Sequence, residues 1–218
     1  ITTRLVGSEM CIRDRYHTYD RFLELAHSNK EYTYEEAKEL FFTSISKFPK
    51  DFQDKAHEVL RDGFVDVEER LGKRTGAYSS SVANLHPFIL LNYDNTLDSV
   101  FTVAHEAGHS IHSMYAEEAQ PTMLQDYTIF VAEIASTFNE HTLLDYFLTL
   151  PNATKEEKIM VIQKAIDEIV STFYRQTLFA EYEYLANQAV SENKPINHQV
   201  LSPVSYTHLR AHETRSNL

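Results

Sequence analysis

The segment His105-Glu106-Ala107-Gly108-His109 constrains the fold more than any other part of this chain. Residues four apart share one face of an α-helix, so the imidazoles of His105 and His109 converge only if the segment is helical. Apolar residues recur around the segment at helical spacing, which predicts an amphipathic helix from about Thr96 to Glu117. This H-E-x-x-H order is typical of zinc hydrolases, in which the Glu, here Glu106, acts as general base on water.

The motif supplies two metal ligands, whereas catalytic zinc takes three protein ligands and leaves one position for water. Glu133 is the first candidate for the third ligand, because its flanks are apolar and a buried carboxylate there needs a cation. The alternative is that Glu133 belongs to a solvated helix face. His112 is the second candidate, although three ligands from one short helical stretch arrange poorly around a tetrahedral ion. A histidine that packs or hydrogen-bonds beside the site is the more common outcome at such a position.

Several other residues are candidates for roles around the metal or the substrate. Glu140 and Asp126 are candidate acceptors for the ring N–H groups of the ligand histidines. Residues 76–79, which include Ala77 and Tyr78, are a candidate edge strand that would hold an extended peptide by main-chain hydrogen bonds. The alternative for this strand is ordinary packing against the core.

Glycine and proline are scarce, at 5 and 6 of 218 residues, which favours long helices over a turn-rich all-β fold. The sequence therefore predicts a mainly α protein with a small β-sheet before the motif helix. The predicted helices are 16–30, 33–47, 51–61, 96–117, 124–150 and 154–191, and the predicted strands are 77–82 and 87–93. Gly108 has no side chain, which would let a second helix or a substrate approach closely.

The charge and cysteine content limit the partners and the location of the protein. A formal net charge of −12 at pH 7 argues against nucleic acid or an anionic membrane surface as a partner. The chain has no apolar run of transmembrane length and no signal-peptide pattern. Its single cysteine, Cys11, allows no internal disulfide, so a reducing compartment and a cytoplasmic location are expected.

Both ends of the chain look foreign to the rest. Residues 1–15 and 202–218 have no sustained apolar periodicity and resemble translated sequencing-adapter read-through. The alternative is ordinary disordered termini. We therefore expect a partial catalytic domain over 16–201 between two non-native segments, and His208 and His212 are not counted as site residues.

A set of motifs spread along the chain resembles one known family. The motifs are Gly72-Lys73-Arg74, Gly76-Ala77-Tyr78-Ser79, His86-Pro87, Asn92-Tyr93, Val103 to Ser113, Gln120-Pro121 and Asp126 to Glu140. Together they are similar to oligoendopeptidase F, of the thimet-oligopeptidase-like family of zinc metallopeptidases. The likeness extends over about 16–200 and is most specific between 72 and 140.

The resemblance implies a zincin-like catalytic core, mostly helical, enclosing a deep channel that admits short peptides and excludes folded proteins. It implies one Zn²⁺ per chain bound by His105, His109 and Glu133, with Glu106 as general base in the hydrolysis of internal peptide bonds. Family members are far longer and continue to a segment bearing a His and several Tyr that contact substrate, which does not map onto this chain. We therefore expect a core truncated at both ends.

The departure from the family leaves two other interpretations beside a partial zinc endopeptidase. One is a fragment that binds zinc but does not cleave peptides, because losing one oxyanion donor costs about 10²–10³ in rate. The other is a helical interaction domain in which the motif histidines and glutamates are merely structural.

Overall fold

The structure, a computed structural model, describes residues 30–197. Within those limits the chain divides into two units, one ending at Ile162 and the other beginning at Gln163. Apart from its last residue, the predicted helix 16–30 lies outside the described residues, and so do the foreign-looking segments 1–15 and 202–218.

The first unit contains four helices, a small sheet and the beginning of a fifth helix. They are α1 (Tyr34–Ser44), α2 (Lys50–Val59), β1 (Val65–Asp66), β2 (Tyr78–Val82), β3 (Leu85–Leu90), α3 (Leu97–Ala119), α4 (Ile129–Thr149) and α5 (Lys155–Glu168), which runs on into the second unit. The second unit continues with a π-helical segment, Ile169–Tyr174, and α6 (Arg175–Ser191). The prediction of a mainly helical protein with a small sheet before the motif helix is confirmed. None of the helices in the described part has the length and apolar character needed to cross a membrane.

Local signals in the sequence set the helix starts. The side chain of Thr33 accepts from the Glu36 N–H at 3.3 Å, while the Glu36 carboxylate accepts from the Thr33 N–H at 2.7 Å. This capping box begins α1 where the sequence predicts it. The motif helix α3 begins in a similar way, because Thr96 Oγ1 accepts from the Ser99 N–H at 3.2 Å.

The three strands form one sheet in the order β1-β3-β2. The hairpin β2–β3 is antiparallel and pairs Tyr78 with Leu90 and Ser79 with Ile89. The short strand β1, which the sequence did not predict, pairs parallel with β3. Because β3 is central, β2 is an edge strand of the described sheet. Of the predicted edge segment 76–79, Tyr78 and Ser79 belong to β2, whereas Gly76 and Ala77 precede it.

The motif helix α3 supplies much of the core of the first unit. Its inner face is fully or almost fully buried at Val100, Phe101, Val103, Ala104, Ala107 and Ile111. Phe101 stacks on Phe147 of α4 with ring centroids 5.8 Å apart. A helix packed this tightly holds its polar outer positions in a fixed orientation, which is what a metal site needs.

One helix boundary predicted from the sequence is wrong, and one predicted helix contains a segment of another helix type. The helix predicted to start at residue 124 starts at Ile129, after a 3-10 turn over Thr122–Leu124. The intervening chain is held instead by Tyr127, whose hydroxyl hydrogen-bonds Ser113 of α3 at 3.0 Å. The helix predicted over 154–191 contains the π-helical segment 169–174, which apolar periodicity alone does not distinguish from α-helix.

Candidate metal centre

The three candidate ligand atoms converge at one point between α3 and α4. His105 Nε2 lies 3.1 Å from His109 Nε2, and both nitrogens lie 3.4 Å from Glu133 Oε2. Zinc–ligand bonds of about 2.0–2.2 Å place tetrahedral ligand atoms ~3.3–3.6 Å apart. The two distances to Glu133 lie in that range and the distance between the histidines is slightly shorter, so the triangle has about the size that one ion such as zinc needs. Among residues 30–197, it is the only group of this kind with metal-ligand spacing.

The structure gives a different reason for the position of Glu133 from the one predicted. The sequence argument assumed a buried carboxylate, but the Glu133 side chain is 59% exposed and the neighbouring Ile134 is 64% exposed. The burial argument is therefore wrong, because this face of α4 is open in the described chain. Glu133 is oriented instead by the fully buried Ser136, whose hydroxyl donates to Glu133 Oε2 at 2.7 Å.

At Gly108 the backbone of α3 lies directly against the backbone of α4. A Cβ atom added to Gly108 would lie 2.8 Å from both Ala135 O and Ser136 Cα. No side chain larger than hydrogen fits there without moving α4. The predicted role of Gly108 in close helix approach is thus confirmed, and the contact brings Glu133 to the histidines.

Replacing Gly108 by alanine should lower the free energy of unfolding by about 1–2 kcal/mol. Overpacking of this kind costs about 1–3 kcal/mol, which outweighs the gain of up to about 1 kcal/mol from putting alanine in a helix. The clash is with backbone atoms of α4, so it also moves Glu133 away from His109. Urea unfolding of both chains measures the change. Unchanged or increased stability would show that the helices do not pack this closely.

The two ligand histidines have different hydrogen-bond acceptors. His105 Nδ1 donates to Glu140 Oε1 at 2.8 Å, so Glu140 is the acceptor that the sequence predicts. His109 hydrogen-bonds the backbone carbonyl of Ala132. Asp126, the other predicted acceptor, has no hydrogen bond or ion pair with either histidine in the described part of the chain. The Ala132 carbonyl takes that role because α4 passes directly beside His109, an approach that the sequence does not reveal.

The net pKa shifts of the two rings are opposite, although each acceptor by itself raises the pKa of its histidine. Burial lowers the pKa of His105, but the hydrogen bond and charge of Glu140 outweigh it, so the net pKa is raised. Burial and the charge of His105 lower the pKa of His109. An acceptor on the ring nitrogen that faces away from the ion fixes the tautomer in which Nε2 binds metal.

Removal of the Glu140 carboxylate should weaken zinc binding without abolishing it. Outer-shell acceptors of ligand histidines typically contribute about 10–100-fold in metal affinity. We therefore expect Glu140→Ala to lower zinc affinity within that range, measured by competition with a fluorescent chelator. Asp145→Ala, which removes an exposed carboxylate from the same helix, is the control and should have no effect. Equal affinities for all three chains would contradict the role of Glu140.

Glu106 lies beside the ligand cluster and is only 5% exposed. Burial raises its pKa to about 7, although the charge of His105 and a hydrogen bond from the Ser79 backbone N–H oppose the shift. Glu106 Oε2 has no hydrogen-bond partner among residues 30–197. A buried carboxyl oxygen without a partner costs free energy, and a water at the site would relieve that cost.

The edge strand β2 is tied to α3 next to Glu106. Ser79 Oγ and the fully buried Ser110 Oγ are hydrogen-bonded at 2.8 Å. Ala77 precedes the strand and is half-buried, whereas Tyr78 is exposed and lies under the Arg74 guanidinium, 5.5 Å from its ring centroid. Of the two predicted substrate residues, Tyr78 is the first residue of this strand and Ala77 lies immediately before it, and their role in substrate binding stays a prediction.

His112 lies outside the ligand triangle. Its ring stacks on Tyr127 with centroids 3.8 Å apart, and burial lowers its pKa. The Tyr127 hydroxyl also donates to the backbone carbonyl of His109 at 3.4 Å. Sequence reasoning did not identify Tyr127, Ser136 or the Ala132 carbonyl, because no local pattern signals contacts between separate helices.

Comparison with known proteins gives a consistent set of relatives. Residues 13–214 match the profile of Peptidase family M3. The chain is 37% identical over 196 residues to oligopeptidase PepF of Bacillus subtilis, covering 88% of this chain and 29% of that protein. An oligoendopeptidase F homolog of Borreliella burgdorferi is 44% identical over 146 residues, covering 66% of this chain and 24% of that protein. A crystal structure of a Chlamydophila abortus protein assigned as a peptidase is similar with a TM-score of 0.74 and 39% identity, covering 95% of this chain and 36% of that one.

The extent of these matches bears on the domain boundaries. The chain spans 29% and 24% of the two curated relatives named above. The family match includes residues 13–15 and 202–214, which lie outside the domain predicted over 16–201. Those boundaries stay a prediction.

Proposed function

The chain belongs to peptidase family M3, and from that premise we propose that it carries the zinc-dependent catalytic core of an oligopeptidase. The proposed reaction is hydrolysis of internal bonds in short peptides. The observation that supports it most strongly is the convergence of His105, His109 and Glu133 within bonding distance of one ion, with the buried Glu106 beside them.

In the proposed reaction the metal ligands and Glu106 have different chemical roles. A zinc ion held by the two histidines and Glu133 would polarise the scissile carbonyl and make water more acidic. Glu106 accepts the proton of the attacking water and then passes it to the leaving amine. Burial raises the pKa of Glu106 to about 7 before metal binds. A zinc ion beside it would favour the carboxylate form, which is the form that accepts the proton.

The proposed substrate is a short peptide that lies extended along β2. An edge strand offers unpaired backbone groups to such a peptide, and β2 is held against the site by the Ser79–Ser110 hydrogen bond. The net charge of −12 supports the proposal that neither nucleic acid nor a membrane surface is a partner. We propose a cytoplasmic location on the same composition.

A second candidate function is zinc binding without cleavage. It concerns these 218 residues taken by themselves, which span less than a third of the length of the curated relatives named above. Groups that contact substrate in the rest of such a protein would then be needed for turnover but not for metal binding.

A quenched fluorescent peptide distinguishes the two candidates. The chain loaded with one equivalent of zinc should cleave the peptide, lose activity with a chelator and regain it with added zinc but not with magnesium. Cleavage that persists at full rate in excess chelator would contradict the proposal. Tight zinc binding without cleavage would favour the second candidate.

A further inference from the structure

A cavity of about 250 Å³ lies between the first turns of α3 and the ends of the two longer strands. It is lined by Ala77, Leu91, Asn92, Tyr93, Ser99 and Thr102. None of the roles assigned so far to the metal, the general base or the edge strand uses this space. Pockets that take whole small molecules are about 300–1,000 Å³, so this cavity is closer to the size of one side chain.

The cavity lies next to the reacting groups along α3. Ser99, Thr102 and Glu106 are separated by three and four residues, so they follow one another along a single face of the helix. Thr102 is three residues before His105, a rise of about 4.5 Å along the helix axis. An extended peptide advances ~3.4 Å per residue, so the cavity is within one or two residues of the metal centre.

The cavity also adjoins the strand proposed to hold the peptide. Ala77 and Ser79 are two residues apart, so their side chains lie on the same side of the extended chain. Ser79 contacts Ser110 and Glu106 of α3, and Ala77 lines the cavity. A peptide paired with β2 would therefore direct every second side chain toward α3, and one of them toward the cavity.

The helical wall of the cavity offers no charge and no free donor. Thr102 Oγ1 donates to the backbone carbonyl of Asp98 at 2.9 Å. Ser99 Oγ donates to Asp94 Oδ1 at 2.6 Å. Both hydroxyl protons are thus used within the protein, and none of the side chains that line the cavity is charged.

The opposite wall combines apolar groups with the side-chain amide of Asn92, which holds the wall in place. Asn92 donates both of its side-chain N–H groups to backbone carbonyls, to Arg74 at 2.9 Å and to Gly76 at 2.7 Å. This clamp fixes the loop that precedes β2. The remaining surface is supplied by the buried Leu91 and by Tyr93, whose hydroxyl donates to the Tyr32 carbonyl at 2.7 Å.

We propose that this cavity is a specificity pocket for one uncharged, apolar side chain of the peptide, adjacent to the bond that is cleaved. The inference rests on the proposed peptidase function and specifies which substrates it prefers. Thr102 and Ala77 are the specificity-determining residues, because they line the cavity on the helix and the strand side. Neither touches the reacting atoms.

The test compares a filled cavity with a matched control. Thr102→Met fills the space, whereas Thr142→Met makes the same change on α4, where the threonine hydroxyl also donates to a carbonyl four residues earlier. Both changes are made in the zinc-loaded Glu106→Gln chain, so that peptides bind without being cut. Calorimetry then measures affinity for peptides that carry Leu, Ala or Lys at either position flanking the cleaved bond.

At one of the two positions the parent chain should bind the Leu peptide more tightly than the Ala or Lys peptide. Thr102→Met should lower affinity for that Leu peptide about tenfold and leave the Ala peptide unchanged, while Thr142→Met alters neither. If all three chains discriminate equally between the Leu and Ala peptides, or if the Leu and Lys peptides bind equally well, the proposed pocket is wrong but the peptidase function is not. If no peptide binds the parent chain, both the pocket and the peptidase function are wrong. If Thr102→Met unfolds the chain, Ala77→Leu fills the cavity from the strand side and should give the same loss.

Discussion

Replacing Glu106 by glutamine is expected to lower kcat by about 10²–10⁴ while leaving zinc bound. The amide has the shape of the carboxyl group but cannot accept the proton of the attacking water. The fold should tolerate the change, because burial already raises the pKa of Glu106 to about 7 and favours an uncharged group at this position. Zinc content and cleavage of a quenched peptide, measured on the same preparation, separate the two effects.

The control for Glu106→Gln is Glu117→Gln, which removes a carboxylate from the same helix outside the ligand cluster. This variant should retain both zinc and turnover. Near-normal cleavage by the Glu106→Gln chain would mean that another group takes the proton.

Replacing His109 by alanine is expected to reduce zinc affinity more than 100-fold. Outer-shell changes alone cost about 10–100-fold, and this change removes a direct ligand. The nearby imidazole of His112 does not replace it, because that ring is stacked on Tyr127 outside the triangle. Competition with a fluorescent chelator measures the affinity.

The matched control for His109→Ala is His141→Ala, which removes an exposed histidine from α4. It should bind zinc as the parent chain does. The proposed site would be contradicted if His109→Ala retained the parental affinity, or if His112→Ala lost as much affinity as His109→Ala.

The parts of the fold that the sequence predicted are those that depend on local chemistry. The capping box at Thr33 and Glu36 marked the start of α1, and apolar periodicity located α3 around the motif. The start of α4 was missed by five residues, because Tyr127 bonds to α3 and holds the preceding chain out of the helix. Contacts of that kind depend on two elements that meet only in the folded chain.

In the candidate site too, local sequence predicted some features, and contacts between separate elements determine the others. Spacing alone identified His105 and His109 as neighbours on one helix face. Glu133 was selected for a burial that the structure does not have, and its position depends instead on the close crossing at Gly108 and on Ser136. The cavity lined by Ser99 and Thr102 had no signal in the sequence, because its other walls come from a loop and from the ends of two strands.

The proposed metal site requires that two imidazoles and one carboxylate bind the same ion. X-ray absorption at the zinc edge, with one equivalent of zinc bound, tests this directly. It should show a four-coordinate ion with two imidazole nitrogens, from His105 and His109, and two oxygens, at distances of about 2.0–2.2 Å. A spectrum with three imidazoles would mean that His112, and not Glu133, is the third protein ligand. An ion surrounded only by oxygen would contradict the site altogether.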